Sequence, residues 1–289
     1  SCGQISKRNR NISHENSLWK TANLEKKIVK TELLEMILSK GCQNLNLSNA
    51  MIVGSLSLNN ESQLRVLDFS QSKLKSATGN WAEYNEVLEE ILFSCRSLQE
   101  LEMEYLLLTP TMAINICKNG KTLQKLNLNY SVVKKYTDSG IVYGPPFGFA
   151  SNSYLQEIIE RCQELREIDF NGYDEQLALK SEDLKFLAEN ISPNIEKLNI
   201  KSSCYVDDFV KILLIRCNKI KSFSLMARFI ADISLTNIRQ HLHLTLEELS
   251  LRCGFEFLSL SGFLELKSMP RLKILNLYNR KADAEVIQT

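Results

Sequence analysis

The feature that most restricts what this chain can become is a short phrase that returns along most of its length. Residues 162–171 read C-x-x-L-x-x-I-x-F-N, with apolar residues at Leu165, Ile168 and Phe170 and polar residues between the last two. Residues 95–103 (CRSLQELEM), 120–128 (GKTLQKLNL), 192–200 (SPNIEKLNI), 217–225 (CNKIKSFSL), 243–251 (HLTLEELSL) and 269–277 (MPRLKILNL) repeat it, and 61–69 (ESQLRVLDF) stands before them all. Alternation with a period of two predicts a short strand, aliphatic side chains on one face and the intervening ones on the other.

The intervals decide what those strands belong to. From Leu64 through Leu98, Leu123, Leu165, Ile195, Ile220 and Leu246 to Leu272, successive spacings are 34, 25, 42, 30, 25, 26 and 26 residues. A base period of 25 or 26 lies within the range of leucine-rich repeats. Segments with helical spacing fill the gaps: Val87, Leu88, Ile91 and Leu92; Leu155, Ile158 and Ile159; Val210, Leu213 and Leu214. Ser181 reads as an N-cap, with Glu182 and Asp183 in the first turn. The expected fold is α/β: a leucine-rich-repeat solenoid with a curved parallel sheet on its concave face and helices on its convex face. One strand–helix unit cannot bury its own apolar face, but stacked units bury a continuous ladder.

Residues 25–47 read as a bridge into the repeats. Leu33, Leu34, Ile37 and Leu38 are helical in spacing, Gly41 is a stop, and Cys42, Leu45 and Leu47 form a degenerate first strand. No Pro- or Gly-rich linker follows, so residues 25–289 count as one repeat domain after a distinct segment at 1–24. The two long spacings carry extra residues around 76–81 and within 132–152. The second contains Tyr143-Gly-Pro-Pro-Phe-Gly-Phe149, a density of Pro and Gly that predicts no regular structure. It reads as an inserted surface loop, or as an aromatic docking loop beside the concave face.

Composition removes several function classes. The formal charge is +1, which argues against bulk electrostatic binding to nucleic acid or to an anionic membrane. No apolar run is long enough to span a bilayer, and no charged-then-apolar leader is visible at Ser1. Eight cysteines form no C-x-x-C, and Cys95, Cys162 and Cys217 fall at one position of the phrase. They read as small hydrophobes at the ends of repeat helices, free thiols in a reducing compartment. The three histidines, two of them as His241-x-His243, lack metal-ligand spacing. No phosphate loop, nucleophile elbow or dinucleotide fingerprint occurs. The expectation is a non-catalytic protein with no metal and no cofactor.

Strand alternation then nominates a binding face. The outward candidates are Asp68, Glu102, Glu104, Lys125, Asn127, Glu167, Asp169, Lys197, Lys201, Arg252 and Tyr278. The early coils are acidic, and cations gather later, so a partner with a basic segment followed by an acidic or phosphorylated one would be complementary.

Residues 1–24 do not fit the repeat. Ser6-Lys7-Arg8, then Ile12, then Ser17-Leu18-Trp19 resemble the last third of an F-box, with Asn9 where that motif usually has Trp. The rest of the motif would precede Ser1. An F-box followed by Cys-containing leucine-rich repeats is similar to the substrate receptors of SCF-type, cullin-RING ubiquitin ligases. The likeness runs to about residue 172, through Leu38-Ser39-Lys40-Gly41 and Ile91-Leu92-Phe93-Ser94-Cys95. It implies a helical F-box remnant in which Lys7, Arg8, Leu18 and Trp19 contact the adaptor, with the cullin behind it. It also implies a protein target, typically a phosphorylated cell-cycle regulator, presented for ubiquitination and proteasomal degradation in cytoplasm and nucleus. The alternative is a leucine-rich-repeat scaffold or inhibitor with no ligase link.

Overall fold

The computed structural model describes residues 16–58, 60–74, 81–129, 132–137, 140–144, 154–171, 179–254 and 257–279. A 3-10 turn (Asn16–Trp19) leads into β1 (Thr21–Asn23), β2 (Ile28–Lys30), α1 (Thr31–Ser39), β3 (Asn44–Asn46), β4 (Met51–Val53), β5 (Val66–Asp68) and β6 (Lys73–Leu74). Next come α2 (Trp81–Ser94), β7 (Glu100–Glu102), β8 (Leu107–Leu108), α3 (Pro110–Lys118), β9 (Lys125–Asn127), β10 (Val132–Thr137), β11 (Gly140–Gly144) and α4 (Tyr154–Arg161). The chain continues through β12 (Glu167–Phe170), α5 (Ser181–Asn190), β13 (Lys197–Lys201), α6 (Asp207–Arg216), β14 (Ser222–Phe229), α7 (Asp232–Leu242), β15 (Glu248–Gly254), α8 (Leu260–Lys267) and β16 (Ile274–Asn279).

The repeated phrase builds one ten-stranded parallel sheet in sequence order, β1-β3-β5-β7-β9-β12-β13-β14-β15-β16. Its register stacks the same position of every phrase. Leu45, Leu67, Leu101, Leu126, Ile168, Leu198, Phe223 and Leu249 lie side by side in one row, and each is essentially buried. A second buried row runs through Phe170, Ile200, Leu225 and Leu251. Each full burial of such a side chain contributes roughly 1.5–3 kcal/mol, so the rows are the main cohesive element of a solenoid-like α/β fold. The helices close the other side of the core. Val87, Leu88, Ile91 and Leu92 of α2, and Val210, Leu213 and Leu214 of α6, are buried as their spacing predicts. From α2 to α8 each helix packs on the next. Among the described residues no helix is long and apolar enough to cross a membrane.

Cys42, Cys95, Cys162 and Cys217 are free and buried. Cys95 and Cys162 follow the helices α2 and α4, and Cys217 caps α6. The Cys95 thiol donates to the Ile91 carbonyl at 3.2 Å. Burial pushes the thiol pKa values of Cys95 to about 11 and of Cys162 and Cys217 to about 12.

Three expectations need correction, and one feature of the fold goes beyond them. The sheet begins at Thr21, ahead of residue 25, because Thr21–Asn23 pairs in register with Asn44–Asn46. Residues 21–43 are therefore a full coil, β1-β2-α1, so that 25–47 is not a bridge, and the strand at Leu45 is the second. The inserted segment is not wholly irregular. Val132–Thr137 and Gly140–Gly144 form an antiparallel hairpin, and β10 also pairs parallel with β8. The β-branched and aromatic residues there favour strand, and β8 offers an edge to pair with; residues 145–152 lie outside the described set. Second-layer strands, β2-β4-β6 and β8-β10-β11, form two three-stranded sheets that the phrase does not announce. Finally, the N-cap of α5 is Lys180, not Ser181; its N–H donates to Asp183 Oδ2 at 3.0 Å.

Candidate protein-binding face

Side chains between the buried rows project from the open face of the sheet, and register makes continuous rows of them too. Val66, Glu100, Lys125, Glu167, Lys197, Ser222, Glu248 and Ile274 form one. The next runs Asn23, Asn46, Asp68, Glu102, Asn127, Asp169, Asn199, Ser224, Ser250 and Asn276. Beyond it, on the longer later strands, come Lys201, Met226, Arg252 and Tyr278. The nominated residues thus share one surface, with Glu104 just past the end of β7.

Many of them are already engaged. Asn23, Asn46, Asp68, Asn127 and Asp169 each accept, through Oδ1, the backbone N–H two residues on: Glu25, Ser48, Ser70, Asn129 and Asn171, at 2.8–3.2 Å. These are Asx turns that end the strand and bend the chain toward the second layer. In the first three, and after Glu102, the residue three positions on is left-handed: Lys26, Asn49, Gln71 and Tyr105, with φ of 54–58°. That conformation costs a non-glycine residue roughly 1–2 kcal/mol, and in the first three the turn bond immediately before it helps offset the cost. Glu102, one methylene longer, is bonded differently: it holds the Lys125 ammonium at 2.6 Å.

Further bonds lace one coil to the next. Asn127 Nδ2 donates to Glu104 at 2.8 Å, and Asn199 Nδ2 to Asp169 Oδ2 at 2.8 Å. Ser222 donates to Glu248 at 3.0 Å and Asn276 to Ser250 at 3.1 Å. Two ionisations respond. Burial alone would lower Lys125, but the Glu102 bond and the carboxylates of Glu102, Glu167 and Glu100 outweigh it and hold the ammonium above its ordinary value. Burial raises Asp169 above the usual carboxylate value, against the opposing bonds from Asn199 and the Asn171 N–H.

The nominated set therefore divides. Asp68, Asn127 and Asp169 hold turns, and Glu102, Glu104 and Lys125 are paired within the face. Glu167, Lys197, Arg252 and Tyr278 make no side-chain hydrogen bond or ion pair among the described residues, and Tyr278 is 57% exposed. Strand alternation tells which way a side chain points but not whether the chain has already used it. The signal was present in the strings N-L-S (46–48), D-F-S (68–70), N-L-N (127–129) and D-F-N (169–171), an Asx followed two residues later by a small polar residue.

Of the residues nominated for an adaptor, Lys7 and Arg8 lie outside the described residues. Leu18 is 52% exposed, and Trp19 packs half-buried against the core. Among the described residues no group of three or more His, Cys, Asp or Glu could hold a metal ion. Comparison with known proteins finds no matching family model and no matching curated protein.

Proposed function

We propose that this chain is a non-catalytic recognition subunit, a leucine-rich-repeat solenoid that binds a protein target on the open face of its sheet. The observation that carries the reading is the face itself. Its middle strands present Glu100, Glu102, Glu104, Glu167 and Asp169 against Lys125, and its later strands present Lys197, Lys201 and Arg252 against Glu248. A partner whose charge runs the opposite way would be steered and oriented by such a gradient. The F-box-like string at residues 6–19 extends this to a substrate receptor of an SCF-type ligase, with adaptor and cullin on the N-terminal side and the target marked for proteasomal degradation.

A second reading, a repeat scaffold or inhibitor without a ligase link, draws on Trp19. Its packing against the core suits a cap on the first strand as well as an adaptor contact. One experiment separates them: affinity purification from dividing-cell lysate of this sequence joined to its natural upstream residues. Stoichiometric adaptor and cullin support the receptor. A folded protein that brings down neither leaves the scaffold.

A further inference from the structure

Three aromatic rings on successive coils meet at the far end of the later strands. Tyr205, just past β13, bridges in parallel to Phe229 at the end of β14, and their rings stack at 5.1 Å between centroids. Phe257, past β15, meets Phe229 edge-on at 5.3 Å and Tyr205 at 6.2 Å. The strip is not core. Tyr205 is 61% exposed and Phe257 53%, whereas apolar residues on the adjoining strands, such as Leu225 and Leu251, are essentially buried. Clustered aromatic surface left in water at this level is characteristic of a contact site.

Cations border it. The Arg228 guanidinium lies over the Phe229 ring at 5.5 Å. Arg252 stands two residues before Gly254, the register partner of Phe229. Both arginines are exposed, and neither forms an ion pair among the described residues. Asp208, three residues after Tyr205, is exposed and makes no side-chain bond among the described residues, but other described carboxylates of the same coils are committed elsewhere. Asp207 accepts from the Ala231 N–H and the Ser234 hydroxyl, Asp232 from the Ser259 N–H and hydroxyl, and Glu248 from Ser222.

We infer that the Tyr205–Phe229–Phe257 strip is a docking site for an acidic linear segment of a partner protein carrying an aromatic anchor. The anchor ring packs on Tyr205 and Phe257, and flanking carboxylates pair with Arg228 and Arg252. The two arginines fix the sign of the charge, since an ion pair beside a ring that sheds water on binding gains more than one in open solvent. The site rests on the recognition reading above but not on its ligase extension, and it adds a contact beyond the rows of the open face.

The test is fluorescence anisotropy with a labelled twelve-residue peptide in which Asp and Glu flank a central Phe. Two controls accompany it: one with Lys for every acid, one with Ala for Phe. Expected is saturable binding to the acidic peptide alone. Affinity should fall about tenfold or more in Y205S/F257S, the scale of losing an interface anchor, and comparably in R228E/R252E. All four are surface positions, so circular dichroism should remain native. A Lys185→Glu variant, exposed on α5 and away from the open face, should bind unchanged. Equal binding of the Lys peptide, no binding of the acidic one, or insensitivity to both double variants overturns the assignment. None of these outcomes bears on whether adaptor and cullin co-purify.

Discussion

The Asx row makes a claim that stability measurements can decide. If Asn127 is a partner-binding residue and nothing more, its removal costs the isolated protein almost nothing. If it holds the turn after β9, Asn127→Ala leaves the Asn129 N–H without its acceptor at 2.9 Å and Glu104 without its donor at 2.8 Å. A half-buried backbone donor left unpaired costs about 1–2 kcal/mol and a part-exposed charge-assisted bond about 0.5–1 kcal/mol, so about 2 kcal/mol is expected. Asp68→Ala loses only the Ser70 N–H bond and should cost about 1 kcal/mol. Ser224→Ala, in the same outward row, forfeits no such bond and should stay within about 0.5 kcal/mol, as surface substitutions do. Asn127→Asp keeps the turn acceptor but sets a carboxylate against Glu104. Its penalty should be present at neutral pH and shrink as the pH falls through the carboxylate range, where protonation removes the repulsion. Urea unfolding followed by circular dichroism, with all four variants in one series, gives the comparison. Asn127→Ala and Asp68→Ala falling together with Ser224→Ala would refute the turn-holding role and return these residues to the pool available for a partner.

The buried row offers an internal control on the same assay. Leu126→Ala, at a fully buried position between Leu101 and Ile168, should cost about 3–4 kcal/mol, because neighbours tied into the sheet cannot collapse into the cavity. Leu275→Ala, in the same row but 43% exposed, should cost about 1–1.5 kcal/mol; equal costs would contradict the ladder. The thiols supply a chemical readout. With burial holding Cys95 near 11 and Cys162 and Cys217 near 12, the thiolate fraction at pH 8 is below one in a hundred. Iodoacetamide should label these three only under denaturing conditions, as mass spectrometry of tryptic peptides would show.

What the chain disclosed before its structure was what its backbone period controls. A phrase every 25 or 26 residues could be satisfied by stacking in register, so Leu126 and Leu198 were identifiable as core and Glu167 and Lys197 as outward residues from alternation alone. Hidden was whatever depends on neighbours distant in sequence. Thr21–Asn23 carries no recognisable phrase and becomes a strand because Asn44–Asn46 offers it an edge. Val132–Thr137 becomes one because β8 does the same. The candidate face followed that division. Its direction was legible, and so was the part of its occupancy that local Asx turns supply; the bonds between coils were not, since one such as Asn199 to Asp169 joins residues thirty apart. The aromatic strip shows the same limit more sharply. Tyr205, Phe229 and Phe257 are spaced 24 and 28 apart, close to the repeat period but after strands of different length, and only the stacked coils bring the three rings together. A repeat protein places its recognition chemistry in this way, letting the shared phrase fix the frame while residues outside the phrase, at the ends of particular coils, give one part of the surface its own partner preference.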